Sequence, residues 1–297
     1  MANFDDLLNN APAEESGAPQ LSKEEYAEKK KAEREELFGL SDDVAMQTAN
    51  DSEVFRQYLD VQGRFDRYSA VNALLILAQQ ENLPSGAASR LGDYEHWNGK
   101  GGIVKSKSVI SILEPHEYTK DDNTPGTGYN VKKVFDISQV DTRKMKLTPP
   151  PNYGERQLLS ALVKSAPVAI VGVENLSEDM GAMRHDERID VRKGMGFADT
   201  FRSLTRELAL VDIEQREIPA ENAEFTAYCA SYLLCKKYGA DTKDFSFDEA
   251  PGAFDGLDAQ GIKGELSQIR DAAENISGRM ARQLEAQQKA AKNNDAR

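Results

Sequence analysis

Cysteine, histidine and tryptophan are scarce in this chain, at two, three and one of 297 residues. Cys229 and Cys235 stand six apart on one expected helix, a spacing that suits neither a metal pair nor a disulfide, so both are expected to be reduced packing residues. Long apolar runs are missing as well. None approaches the roughly 18 residues of a membrane span, and the acidic start Met1-Ala2-Asn3-Phe4-Asp5-Asp6 has neither the basic nor the apolar part of a secretory leader. The expectation is a cytoplasmic protein with no membrane partner. A basic excess is absent too: 37 Lys and Arg face 50 Asp and Glu, for a net charge of -13, which by itself argues against a nucleic-acid partner.

The distribution of charge changes that reading. Residues 1–50 hold 12 acidic and 5 basic side chains and residues 149–297 hold 25 and 19, whereas residues 51–148 hold 13 of each. In this middle segment the cations are clustered: Arg64 with Arg67, Lys105 with Lys107, Lys132 with Lys133, then Arg143, Lys144 and Lys146. A local basic groove on an acidic protein fits that pattern.

What is present reads as an α+β chain. Residues 1–20 have the polar composition of a disordered leader. Residues 21–50 form a charged helical segment, opened by the capping box Ser22-Lys23-Glu24-Glu25 and marked by sparse apolar points at Tyr26, Ala32, Leu37 and Leu40, as suits an exposed or docking helix. Within residues 51–148, Phe55 to Leu77 repeat apolar residues at helical spacing over two segments, with Gly63 loosening the junction. Strands are expected at Ile103-Val104, Val109 to Leu113 and Val131 to Ile137, with Thr119 to Asn130 as a mobile hairpin loop. Residues 149–253 read as a helix from Tyr153 to Lys164, strands at Val168 to Val173 and Arg188 to Arg192, and two further helices. Over 254–297 Leu266, Ile269, Ala273, Ile276, Met280 and Leu284 predict an amphipathic helix with a tail that frays after Gln287.

The stretch Arg206-Glu207-Leu208-Ala209-Leu210 stands where a metalloprotease helix carries His-Glu-x-x-His. In the intact motif two His at i and i+4 reach one zinc from a single helix face, and the Glu activates the bound water. Here only the Glu remains. The Arg206 guanidinium and the apolar Leu210 side chain cannot donate to a divalent cation. The bland alternative is an amphipathic helix with Leu204, Leu208 and Val211 facing a core. His185 lies in a polar loop upstream, where a solvated role is expected.

Four further blocks add context: Phe65 to Gln79; Trp97; Gly102-Ile103-Val104-Lys105 leading into Ile110 to Pro115; and Val134-Phe135-Asp136-Ile137-Ser138-Gln139-Val140. In order and spacing they resemble the N-terminal domain of ArdC-type antirestriction proteins, over roughly residues 50–250. That resemblance implies a single-stranded-DNA-binding domain followed by a zincin-like metallopeptidase domain, carried by plasmids, conjugative elements or phages. By position it places Arg206 and Leu210 at the two zinc-binding histidines, Glu207 at the general base and Glu224 at the glutamate ligand. Two of three ligands are thus replaced, so the expectation is a pseudo-metallopeptidase with no metal or other cofactor, in which Arg206 pairs with Glu224 or another nearby carboxylate.

Function is then expected in the N-terminal half. Single strands are held by cations that track phosphates and aromatic faces that stack on bases. Arg64, Arg67, Lys105, Lys107, Lys132 and Lys133 suit the first role, and Tyr94, Trp97 and Tyr118 the second, although Tyr68 and Trp97 also read as core anchors. Asn72, polar on an apolar helix, is expected to orient neighbouring backbone. Two other functions fit: an acidic protein that mimics DNA or sequesters a host defence or mobile-element protein, and a metallopeptidase with a rearranged zinc site.

Overall fold

The computed structural model describes residues 22–120, 122–147, 151–177, 180–216 and 222–295, with side chains to residue 290; the expected leader over 1–20 lies outside them. Helix α1 (Lys23–Asn50) opens with the expected capping box: the Ser22 amide donates to the Glu25 carboxylate at 2.7 Å and the Glu25 amide to Ser22 Oγ at 3.1 Å. Its first half is exposed and carries the Lys30–Glu33 and Lys31–Glu35 pairs. From Leu37 onward Val44, Ala45 and Ala49 bury themselves in the body of the protein.

Asp51 caps α2 (Ser52–Arg64) by accepting from the amides of Glu53 and Val54. Gly63 lies inside this helix rather than at a loose junction. A Cβ there would stand 3.3 Å from that of Lys236, so the missing side chain lets a later helix approach. Ser69 caps α3 (Ala70–Gln79), which is followed by β1 (Leu91–Gly92), α4 (Tyr94–Gly99) and β2 (Ile103–Val104).

Strands β3 (Ile110–Thr119) and β4 (Pro125–Asp136) make one long hairpin. The expected loop over 119–130 is therefore mostly strand. Its glycines fit ladder positions, because Gly128 and Gly126 stand opposite His116 and Tyr118, whose rings occupy the space that a Cβ would need. Strand β1 joins the other side of β4, while β2 pairs with β5 (Val140–Asp141).

In the second half α5 (Glu155–Ser165) leads into β6 (Ala169–Val173), β7 (Ala182–Arg184) and β8 (Arg188–Arg192). Their order is β6-β8-β7, with β6 parallel and β7 antiparallel to β8. Strand β7, with only three residues, is too short for its pattern to show in the sequence. Then come α6 (Phe197–Glu214), α7 (Ala223–Tyr238) and α8 (Ala259–Asp295). Helix α8 starts earlier than its periodicity indicates and remains helical to Asp295 instead of fraying after Gln287.

The expected α+β architecture is thus present, and one apolar core runs from Val44 to Leu284 through both halves. Phe55 of α2 meets Phe225, Phe247 and Phe254 with ring centroids 5.5 Å apart. Cys229 and Cys235 are buried, unpaired members of this core; burial pushes the Cys235 thiol up to about 12, which keeps it protonated and unreactive. Among the described residues no helix is long and apolar enough to cross a membrane.

Candidate functional site

Helix α6 carries Arg206, Glu207 and Leu210, and α7 carries Glu224. Arg206 Nη2 donates to Glu224 Oε2 at 2.8 Å, which is the ion pair expected from the sequence. Both side chains are largely exposed, so the pair contributes less than about 1 kcal/mol. Arg206→Ala is accordingly expected to move the urea midpoint barely at all; a loss above about 2 kcal/mol would mean that the pair holds the helices together. Leu210 is in the core at 4% exposure. Glu207 is half-buried, and desolvation, aided by the charge of Glu224, holds its carboxyl above the usual range.

A cleft of about 360 Å³ opens beside these residues. Arg206 and Glu207 line it together with Arg192, Arg202, Ser203 and Tyr228; Leu210 and Glu224 do not. Arg202 is fixed between Asp199 and Asp244 at 2.8 and 2.9 Å. His185 is bonded to Asp190 at 3.0 Å and stands outside the cleft lining. Among the described residues no three His, Cys, Asp or Glu side chains converge as a ligand set. A guanidinium, a buried leucine and a carboxylate already engaged by that guanidinium do not fit a divalent cation.

A larger groove, about 960 Å³, is lined mostly by the first half, with Ser267 and Arg270 contributed by α8. Five cations line it, Arg64, Arg67, Arg90, Lys132 and Arg270, against the anions Asp66, Asp93 and Glu114. Three sequence candidates, Arg64, Arg67 and Lys132, thus share one surface although they come from two distant segments. Lys105, Lys107 and Lys133 are exposed but outside the lining; Lys105 is bound to Asp141 at 3.1 Å.

Trp97 requires a correction. It is fully buried, and its indole N–H donates to the Phe135 carbonyl at 3.0 Å. No base can stack on it; its large ring closes the core of the β1–β4 corner. Tyr94 and Tyr118 are exposed but lie outside the groove. The aromatic side chains on the lining are Phe38, Phe65, Tyr68, His96 and Tyr129, of which Tyr129 is 39% exposed and braced edge-on by Phe38 at 5.6 Å.

Buried polar side chains fix the walls of the groove. Asp136, fully buried, accepts from the amides of Ser89 at 2.7 Å, Arg90 at 2.9 Å and Ser138 at 2.9 Å. Desolvation raises its pKa, yet these amide bonds outweigh it and the net shift is downward. Asn72 has the orienting role expected of it: its amide donates to the Leu113 carbonyl and accepts from the Leu113 amide, each at 2.8 Å. Gln79, two turns later, repeats this with Ser111 at 3.0 Å in both directions. Together they seal the outer edge of β3, where Pro115 next in line offers no N–H at all. Arg90, Arg270 and Tyr129 are invisible as site residues in the sequence because no cationic cluster or motif marks them.

No family model matches the sequence, and no curated protein matches it closely. Solved structures do. The crystal structure of the antirestriction protein ArdC from plasmid R388 in its Mn(II)-bound form matches with a TM-score of 0.50 and 15% identity, covering 72% of this chain and 85% of that one. The metal-free form gives 0.49 and 14%, covering 72% and 86%. At such identity the likeness is one of fold: this chain has an ArdC-like α+β fold.

Proposed function

We propose that this protein binds single-stranded DNA through the groove of its first half and acts as an accessory factor of the antirestriction type for a plasmid or other mobile element, phage included, in the cytoplasm. In this reading the zincin-like cleft is a scaffold without metallopeptidase activity. The observation that carries it is a groove lined by five cations against three carboxylates on a chain whose net charge is -13; such a local gathering of cations on an acidic chain suits a polyanion. Tyr129 supplies an exposed ring for stacking on a base. The fold shared with ArdC supports the setting.

The test is fluorescence anisotropy with labelled single-stranded and double-stranded oligonucleotides over a salt series. Expected is tighter binding of the single strand, with log K falling linearly in log salt by about 0.7 per phosphate neutralised. Absence of binding to either form would overturn the reading and direct attention to a protein partner such as a host defence protein.

A further inference from the structure

We propose that Arg67 and Arg90 form the phosphate clamp of the groove, and that its other cations shape the walls; this rests on the single-strand reading above. The five cations differ in what already holds them. Lys132 is bound to Glu114 at 2.6 Å and to Asp93 at 3.1 Å. Arg270 is bound to Glu274 at 2.7 Å and to Asp271 at 2.8 Å. Arg64 donates to the Ala88 carbonyl. Among the described residues Arg64, Arg67 and Arg90 have no carboxylate within 4.0 Å, but of these three only Arg64 is already tied to a protein acceptor, and the nearby Asp66 is taken by Lys237 at 2.6 Å. A cation already neutralised by protein carboxylates releases little counterion when a phosphate arrives, whereas a free guanidinium releases its full share and presents a planar fork to two phosphate oxygens.

Both free guanidinium groups also hang from immobilised backbone. The amide of Arg90 donates to Asp136 at 2.9 Å, and its carbonyl accepts from the Ile137 amide at 2.9 Å. The turn that carries Arg67 is pinned from below by Gln62, 1% exposed, whose side-chain amide donates to the carbonyls of Phe65 at 3.3 Å and Tyr68 at 3.2 Å. Two buried polar residues, Gln62 and Asp136, therefore act as positioning residues for the two arginines. Such pre-organisation lowers the ordering cost of binding.

The experiment is anisotropy with a fluorescein-labelled oligo-dT on the full chain, comparing wild type, Arg67→Ala, Arg90→Ala and the double variant, with circular dichroism to confirm folding. Neither substitution touches a backbone bond, so the fold is retained. Each single variant is expected to weaken binding about tenfold and to reduce the salt slope by about 0.7, and the double variant by about twice that slope. A wild type that binds and a double variant that binds equally, with unchanged slope, would overturn the clamp while leaving the single-strand reading intact. A wild type that does not bind would sink both.

Discussion

Asp136→Asn is expected to lower the unfolding free energy by about 2–4 kcal/mol. The carboxylate is an acceptor at both oxygens, with the Ser89 and Arg90 amides on Oδ2 and the Ser138 amide on Oδ1. An asparagine has the same shape but turns one of those oxygens into a donor. Whichever way it is placed, at least one N–H then faces another N–H inside the pocket of a fully buried side chain, and each stranded group costs about 1–3 kcal/mol. The pH dependence has a defined sign. Because the folded pKa of Asp136 lies below its ordinary value near 4, its contribution is complete above that value and is lost as pH falls through the lower folded pKa. Urea denaturation should show a large gap between wild type and variant at pH 7 that narrows below about pH 4. Equal midpoints at pH 7 would show that the three amides are satisfied in some other way.

Asn72→Ala is expected to cost a similar amount, about 2–4 kcal/mol, for a different reason. The substitution removes no charge and little apolar area. It strips the Leu113 amide and carbonyl of their bonds to α3, deep between α3 and β3 where Leu75 and Leu113 are buried. Asn72→Asp should not rescue, since the second carboxylate oxygen would face the Leu113 carbonyl. Gln79→Ala should cost less, about 1 kcal/mol, because its site is partly buried and water can replace the amide. The Asn72 variant should also aggregate more readily, as its β3 edge is unsealed. A midpoint within about 0.5 kcal/mol of wild type would contradict this role for Asn72.

Local features of this fold are legible in the sequence and non-local ones are not. The capping box at Ser22 and Glu25 and the apolar spacing of α2, α3 and α8 depend on residues close in sequence, whereas the pairing of Arg206 with Glu224 joins two helices and is legible only through the family resemblance. The hairpin is longer than its sequence suggests because Thr119 to Asn130 is polar, whereas its strands are set by backbone pairing and by rings packed over Gly126 and Gly128. Trp97 shows the limit of composition: an aromatic residue near clustered cations has the same letters whether it stacks on a base or fills a corner. The groove itself gathers residues 64–72, 89–96, 112–115 and 129–134 with Arg270 from the last helix. The register of β3 on β4, the hub at Asp136 and the bonds from α3 to β3 help bring them together, so in the sequence Arg90 looks like any other surface arginine.

The measurement that tests the central claim most directly is the affinity for a single-stranded oligonucleotide of two charge reversals set side by side. One is Arg67→Glu with Arg90→Glu, inside the groove; the other is Lys105→Glu with Lys107→Glu, outside it. The change of charge is the same in both, so a general electrostatic effect predicts equal losses. A strand seated in the groove predicts that the first pair weakens binding by about a hundredfold or more while the second stays within about threefold of wild type. Equal losses, the reverse order, or no binding by the wild type would contradict it.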